Sequence, residues 1–501
     1  MKKNTLIAML LIATLFNINA QDNLTVSQRL NLTIYGNMSL EDAETIKESH
    51  PNEIEILATS NDEAAVHISE EATHILHELR GTHGPGYLKA SNAVEAIKQI
   101  RHTRTERKQQ MNFTITEGES VSNALAVLSQ SNIENQIIEL QNYGTRYHTM
   151  PAAQMAAVDL KAKWEAIATT YNRDDISVRL VDHSNATDST PMNSVIMTIT
   201  GAELPDEFVI IGGHLDSTSG QLSNAPGGDD DASGISVITE ATRALLEIGF
   251  VPKRTIEVMA YAAEEVGLWG SKDIANQYGS NNVNVVAVGQ FDMSNFKSSP
   301  KDVYFINDSN AIDPTLTDFF KSLLDTYHGP SSNDAITYGT TACGYGCSDH
   351  RFWFENGYKT AFPFESSFQD FQNNNWIYHS TSDRMENVPG ADASHSFKFA
   401  KLAVEYLIEV SKKSSSLSTP DFSKEGYELY VIDNSLKYES QSFSSPIKSL
   451  KIFDITGKRI YKEKELGNAG RISLSRFSKG VYVVSIVLEN KKQLSKKVVL
   501  K

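Results

Sequence analysis

The sequence predicts an α/β domain with a mostly parallel central sheet flanked by helices, preceded by an N-terminal segment and followed by a small all-β C-terminal domain. Three observations predict this. Over residues 111–413, apolar runs of strand length alternate with helical patterns. A serine-rich stretch then breaks the pattern, and only short β-like segments follow it. With 501 residues the chain is too long for one ordinary core and implies two or three folded units.

Taken in order, Lys2 and Lys3 followed by the apolar Leu6–Phe16 and Ile18-Asn19-Ala20 read as an export signal over residues 1–20. Its apolar core is too short to cross a bilayer, so no membrane span is expected in the mature protein. Residues 21–110 are rich in Glu, His and Lys and end in the basic run His102–Lys108, an exposed, protease-sensitive joint. They read as a propeptide, with a small permanent N-terminal domain as the alternative. Within 111–413, Phe208–Ile211, Thr255–Tyr261, Val283–Val288 and Val303–Ile306 are strand candidates, with helices expected over Gly234–Leu246 and Leu268–Tyr278. Ser411–Ser418 holds five serines in eight residues, with Pro420 just after, and marks a linker over 414–424. Residues 425–501 read as a β-sandwich-like module, with strands in Ser449–Gly457, Lys479–Val487 and Lys497–Lys501 and a turn at Thr456-Gly457-Lys458.

The composition is that of a soluble globular protein, 40% hydrophobic and 22% charged. A net charge of −16 argues against nucleic acid or an anionic membrane as partner of the whole chain. From Glu425 onward 15 Lys/Arg stand against 8 Asp/Glu, a local net of +7 that sets the tail apart. There are two cysteines, Cys343 and Cys347. No second pair exists to complete a thiolate metal site. A local disulfide, which export favours, and two unlinked thiols remain as readings.

The chemistry-bearing residues stand where expected strands end. His214 and Asp216 in Gly212-Gly-His-Leu-Asp216 face one side of an extended chain, so Asp216 is able to take a ring N–H while the other nitrogen binds a metal. In Gly227-Gly-Asp-Asp-Asp-Ala-Ser-Gly234, three adjacent carboxylates repel one another, a cost that a divalent cation removes. Glu264 and Glu265 follow an apolar strand and point in different directions, so one is free to bind metal while the other acts as a general base. Asp292 and His379 complete a set of nitrogen and oxygen donors without thiolate, which suits hydrolysis by a pair of zinc ions, with Mn²⁺ or Co²⁺ as substitutes.

In Gly213–Asp216, Asp229–Gly234, Ala262–Leu268, Phe291–Met293, Cys343–His350, Pro363–Ser366 and His379, taken in this order over about 300 residues, the chain resembles the M28 metallopeptidases, and within them the secreted bacterial leucyl aminopeptidases. The resemblance implies two Zn²⁺ per chain, bridged by Asp230, with His214 and Asp292 on one ion and Glu265 and His379 on the other. It implies Glu264 as general base on the metal-bridging water, Asp216 behind His214, and Tyr345, on a loop closed by a Cys343–Cys347 disulfide, as a donor to the tetrahedral intermediate. Met293, Ile306, Phe362, Phe364, Phe368, Phe371 and Tyr378 would line a pocket for a large apolar N-terminal side chain such as Leu. The segment between Phe371 and His379 is longer than in these relatives. The implied substrates are peptides with a free N-terminus. An M28 carboxypeptidase or a glutaminyl cyclase shares the layout, but a carboxypeptidase needs a cation for the substrate carboxylate, for which Arg351 and Arg384 are the nearby candidates. Residues 21–110 resemble the removable propeptide of a zymogen. The tail resembles the sorting domain of the type IX secretion system, which implies passage through the periplasm to the cell surface or the medium, with that secretion machinery as partner.

Overall fold

Residues 32–101 build four strands, β1 (Leu32–Ser39), β2 (Ile54–Thr59), β3 (Glu63–Ser69) and β4 (Tyr87–Ala90), joined by helices α1 (Leu40–Ser49) and α2 (Glu70–Glu78) and followed by α3 (Ala93–Gln99). Their order is β2-β3-β1-β4 with every neighbouring pair antiparallel, the split βαβ arrangement. Met38, Ile46, Ile54, Val66, Ile68 and Leu76 fill its own core. The computed structural model describes residues 32–60, 62–78, 86–101, 111–308, 311–414, 427–432, 434–440, 446–455, 458–464, 466–489 and 493–500. The signal segment 1–20, the basic run 102–108, the linker residues 415–424 and the turn residues 456–457 lie outside the described residues. The chain divides into one compact unit up to Ser414 and a second from Ser415 onward.

Three helices, α4 (Gly118–Leu125), α5 (Gln130–Gln141) and α6 (Pro151–Thr170), lead into the central sheet. Its strands are β5 (Ile176–Val181), β6 (Ser194–Ile199), β7 (Leu204–His214), β8 (Arg254–Tyr261) and β9 (Asn284–Gln290), with helix α7 (Ala232–Glu247) between β7 and β8 and α8 (Trp269–Ser280) between β8 and β9. The remaining elements of this unit are β10 (Val303–Ile306), α9 (Pro314–Tyr327), β11 (Tyr338–Thr341), α10 (His350–Glu355), β12 (Thr360–Ala361), β13 (Pro363–Phe364), α11 (Phe368–Asn374) and α12 (Ser394–Ser411). The six-stranded sheet runs β12-β9-β7-β8-β6-β5. Its first four strands are parallel, and β6 and β5 add antiparallel at the edge. The expected run Val303–Ile306 is a strand but sits in a separate small sheet, β11-β10-β13. Helix α7 begins two residues before the expected Gly234 because Asp231 caps it, its carboxylate accepting the Gly234 N–H at 2.8 Å.

The neighbours of β7 place the site. β8 lies on one side and β9 on the other, so the chain reverses its direction of travel across the sheet at β7, and a crevice opens beyond the carboxyl ends. The register pairs His214 with Tyr261 and Gly212 with Gln290, so the three strands end level with one another. Behind the sheet, α12 packs against β7, where Tyr406 donates its hydroxyl proton to the Ile210 carbonyl at 2.8 Å and stacks on Phe320 at 4.7 Å.

The tail unit contains β14 (Tyr427–Ile432), β15 (Ser435–Ser440), β16 (Ile447–Asp454), β17 (Arg459–Lys464), β18 (Ala469–Ser473), β19 (Gly480–Leu488) and β20 (Gln493–Leu500). Two antiparallel sheets, β14-β15-β18 and β17-β16-β19-β20, share one apolar core that includes Leu429, Leu436, Leu450, Val484 and Ile486. This is a small sandwich, as the alternation implied. Among the described residues no helix is long and apolar enough to cross a membrane.

The start of α12 carries a pH-sensitive contact. His395 is buried and its Nε2–H donates to the Asp302 carbonyl at 2.8 Å. Burial, aided by Lys297 and Lys398, depresses its pKa from 6.5 to about 4. Below pH 6.5 the unfolded chain therefore takes up a proton that the native state refuses until about pH 4. Stability is lost as pH falls through that window, by about 2 kcal/mol between pH 7 and pH 5. Denaturant unfolding of wild type and His395→Gln should show a stability gap that narrows by that amount over those two pH values.

Candidate active site

Each strand end delivers its side chain. His214 closes β7, Glu264 and Glu265 lie in the turn after β8, and Asp292 follows β9. Asp230 comes from the loop before α7 and His379 from the loop after α11. The backbones approach closely here: a Cβ at Gly213 would stand 2.6 Å from the Asp231 carboxylate and 2.6 Å from the Phe291 carbonyl. Only glycine leaves room for the β7 end to meet the capping aspartate.

The five expected ligand residues fall into two buried trios that share one member. His214, Asp230 and Asp292 offer donor atoms within 4.8 Å of one another, and so do Asp230, Glu265 and His379. The shared carboxylate faces both ways. Asp230 Oδ1 lies 2.9 Å from His214 Nε2, and its Oδ2 lies 3.3 Å from His379 Nε2. Asp292 stands 3.4 Å from His214, and Glu265 stands 2.9 Å from His379. Burial pushes Asp230 up, but hydrogen bonds to both histidines bring it below the usual carboxylate range. Glu264 belongs to neither trio. It is fully buried, and neither of its carboxylate oxygens has a hydrogen-bond partner. Burial pushes its carboxyl well up. Two imidazoles and three carboxylates, with unsatisfied carboxylate oxygens beside them, form a donor set that fits zinc.

Asp216 differs from its expected place. His214 Nδ1 is 3.2 Å from the Asp216 carbonyl and 3.6 Å from its carboxylate, so the backbone oxygen is the nearer partner. The carboxylate instead accepts the N–H groups of Glu264 at 3.0 Å and Glu265 at 3.2 Å, and thereby holds the turn that presents both glutamates.

Cys343 and Cys347 form a disulfide, and Tyr345 sits buried on the loop that it closes. Burial, then the nearby charge of Glu264, raises the Tyr345 pKa well above 10, so the hydroxyl keeps its proton. Its oxygen accepts the Gly86 N–H at 3.1 Å. All seven pocket candidates belong to one apolar cluster, Tyr378 at its partly buried edge, and Leu88 of β4 belongs to it too. Rings run in contact from Phe364 through Phe371 (5.4 Å) and Tyr378 (4.9 Å) to His379 (3.8 Å). In the long segment that follows α11, Trp376 is 53% exposed while Asn375 turns inward to Glu365 at 3.3 Å.

Several supports carried no sequence signal. Arg146 is fully buried and donates to the carbonyls of Leu215, Leu140, Pro226 and Gly227 at 2.6–3.1 Å, tying the end of β7 to the loop that carries Asp230. Asp383 accepts the N–H groups of Asp229 at 2.8 Å and Asp230 at 3.0 Å. Asp231 accepts those of His214 and Met293, each at 3.1 Å. Only the unusual density of acids around these motifs pointed to the aspartates. Arg351, a candidate for recognising a substrate carboxylate, is buried in ion pairs with Glu63 at 3.2 Å and Glu355 at 2.8 Å.

Residues 194–404 match the sequence profile of peptidase family M28. A probable aminopeptidase of Saccharomyces cerevisiae is 30% identical over 308 residues, which is 60% of this chain and 78% of the yeast protein. Leucine aminopeptidase 1 of Neurospora crassa is 31% identical over 59% of this chain and 72% of its own length. Among solved structures, LapB of Legionella pneumophila superposes with a TM-score of 0.63 at 27% identity, covering 75% of this chain and 99% of LapB. The LapA aminopeptidase of the same organism gives 0.63 at 27% identity, covering 77% of this chain and 100% of LapA. An α/β sheet with hydrolase chemistry at its carboxyl ends is the class defined here. The chain belongs to peptidase family M28 and is an aminopeptidase. Residues 417–500 match a domain of unknown function, DUF8694.

Arg146→Met should lower stability by about 3 kcal/mol or more, because its loss leaves four buried carbonyls without this donor. Thermal unfolding checks it, and the same variant should bind zinc more weakly because the Asp230 loop loses its tie to β7.

Proposed function

We propose that the chain is a secreted di-zinc aminopeptidase that hydrolyses the N-terminal peptide bond of peptides and prefers large apolar N-terminal residues such as Leu. The observation that carries this reading is the shared carboxylate: one oxygen of Asp230 faces His214 and the other faces His379. His214 and Asp292 would hold one ion, Glu265 and His379 the other, with Asp230 between them. Bound zinc supplies Lewis acidity, which makes hydroxide available near neutral pH and polarises a carbonyl.

The chain's own residues do the rest. Glu264, anchored through its N–H to Asp216, takes the proton of the attacking water and returns it to the leaving amine. Tyr345, protonated by virtue of its burial, donates a hydrogen bond to the oxyanion. The ring cluster from Phe362 to Tyr378 excludes water around the substrate's first side chain. Glu355, one turn along the same helix, keeps Arg351 paired with or without residues 21–110, which favours the aminopeptidase reading over a carboxypeptidase.

Residues 21–110 act as a propeptide in this reading. The support is that the subdomain of 32–101 binds the catalytic elements at their functional end. The Gly86 N–H donates to the Tyr345 hydroxyl oxygen, Glu63 and the Gln99 carbonyl engage Arg351, and the Lys89 carbonyl accepts from Lys272 at 3.3 Å. Export rests on residues 1–20 and on the basic β-rich tail, which we assign to type IX secretion, by way of the periplasm to the cell surface or the medium. In the native host, deletion of 425–501 should leave the enzyme in the periplasm.

Hydrolysis of leucine p-nitroanilide tests the reading. The zinc-loaded chain nicked within 102–108 should cleave it, should spare the N-acetyl derivative, and should contain two zinc ions. Glu264→Gln should keep both ions and lose activity by about 10²-fold or more. The intact chain should be slower than the nicked one. A nicked, zinc-loaded enzyme that cleaves neither substrate would refute the aminopeptidase mechanism proposed for this site.

A further inference from the structure

A hydroxyl that donates to a transition state is useful only if its position is held to a fraction of an ångström, and Tyr345 stands on a loop, not on a strand or helix. The disulfide joins the two ends of that loop but does not by itself fix the loop against the body of the protein. The fixing comes from Asp308. Strands β10 and β11 are parallel neighbours, with Ile306 opposite Thr341 and the Asn307 N–H donating to the Thr341 carbonyl at 2.9 Å. This pairing brings position 308 under the start of the Tyr345 loop. There the Asp308 carboxylate takes two successive backbone donors, one on each oxygen: Cys343 N–H at 2.9 Å and Gly344 N–H at 2.9 Å. Gly344 has φ +90°, a conformation favoured by glycine, and successive N–H groups around such a residue converge on one anion.

The bonds are sheltered and charge-assisted. Asp308 is only 8% exposed, and neutral donors to a buried carboxylate make stronger bonds than neutral pairs do. Its own backbone is fixed as well, its carbonyl accepting the N–H groups of Ala311 at 3.0 Å and Ile312 at 3.2 Å. Ile306, two residues earlier, belongs to the apolar cluster of the substrate pocket. Strand β10 therefore supplies a pocket wall, and the residues directly after it supply the grip on the loop that carries the tyrosine.

We infer that Asp308 is a positioning residue for the reaction: its carboxylate clamps the first two backbone N–H groups of the Cys343–Cys347 loop and so sets where the Tyr345 hydroxyl stands when the oxyanion forms. The inference rests on the reading of Tyr345 as the oxyanion donor. Asp308 touches neither substrate nor metal and acts through the loop alone. Asparagine at this position retains one acceptor oxygen and puts an NH₂ group against the second backbone donor, so the loop loses half of its grip with almost no change in volume. Glutamate keeps both acceptors on a longer stem.

The test is a double-mutant comparison on the full-length, zinc-loaded chain after nicking within 102–108, with leucine p-nitroanilide as substrate. Tyr345→Phe alone should lower kcat by about 10²-fold, the loss typical of removing one oxyanion donor. Asp308→Asn should lower kcat by about tenfold, with KM changed less than about threefold and zinc content unaltered, because a misplaced donor weakens transition-state binding and spares ground-state binding. Asp308→Glu should recover part of that kcat. In the Tyr345→Phe background, Asp308→Asn should have no further effect on kcat. An equal tenfold loss in both backgrounds, or a loss that appears in KM or zinc content, would show that Asp308 supports the fold and does not position the hydroxyl. Wild-type kcat in Asp308→Asn would overturn the inference as well. Wild-type kcat in Tyr345→Phe alone would remove the donor reading itself, and with it any positioning role for Asp308. If Asp308→Asn does not accumulate as folded protein, the same comparison is made with Asp308→Glu, whose smaller kcat change must likewise vanish in the Tyr345→Phe background.

Discussion

The centre of this protein is a concentration of negative charge that water does not reach. Asp229, Asp230, Asp231, Glu264, Glu265, Asp292, Asp349, Glu365 and Asp383 are all buried. Burial, reinforced by neighbouring carboxylates, pushes the carboxyls of Asp231, Glu264, Glu365 and Asp383 well up. So many like charges in one place are tolerable only if each is matched by something positive or by a donor. His214 and His379 flank Asp230, and fully buried Arg146 lies in the field of Asp383, Asp231, Asp216 and Asp230. Backbone N–H groups match several of the others, while both carboxylate oxygens of Glu264 stay without a hydrogen bond.

That backbone matching organises the strand ends. Asp216, Asp231 and Asp383 each accept main-chain N–H groups from residues that carry or adjoin the metal-site side chains. The acids therefore serve two ends. One set is aimed inward and offers oxygen donors, and the other holds the loops that aim the first set. Asp308 repeats the pattern, with its carboxylate on successive N–H groups of the disulfide loop. In each case a carboxylate converts a flexible loop into a rigid one without spending a cation, leaving divalent ions as the natural counter-charge at the centre.

The N-terminal subdomain belongs to the same electrostatic scheme from the other side. Its Glu63 pairs with Arg351 on the helix that follows the disulfide loop, and its Gly86 N–H donates to the tyrosine oxygen that the loop presents. Leu88 joins the apolar cluster that also contains the pocket rings. Polar and apolar features of the site are thus engaged together in the intact chain.

His214, Glu264, Glu265 and Asp292 were legible in the sequence because each stands at the end of an apolar strand, where a polar residue needs a reason, whereas Asp230 and His379 stand in loops and were singled out by the run of acids and by the family resemblance. The strands around His214, Glu264 and Asp292 were legible for the same reason, being short, apolar and buried on both faces. The edge strand β5 was not, and neither was the split βαβ sheet at the N-terminus, since half-polar segments owe their strand state to the neighbour they pair with. The carboxylate role of Asp216 could not be read from spacing either. The i, i+2 rule puts it on the side of His214, but only the parallel pairing of β7 with β8 brings the Glu264 and Glu265 N–H groups within its reach. By itself the sequence determined the donor types and the α/β class, which depend on composition and local period. The tertiary structure decided that Asp230 stands between the two histidines, that Arg146 and Asp383 brace its loop, and that Asp308 lies beneath Tyr345. These are contacts between segments far apart in the chain, and no local pattern encodes the distance that closes between them.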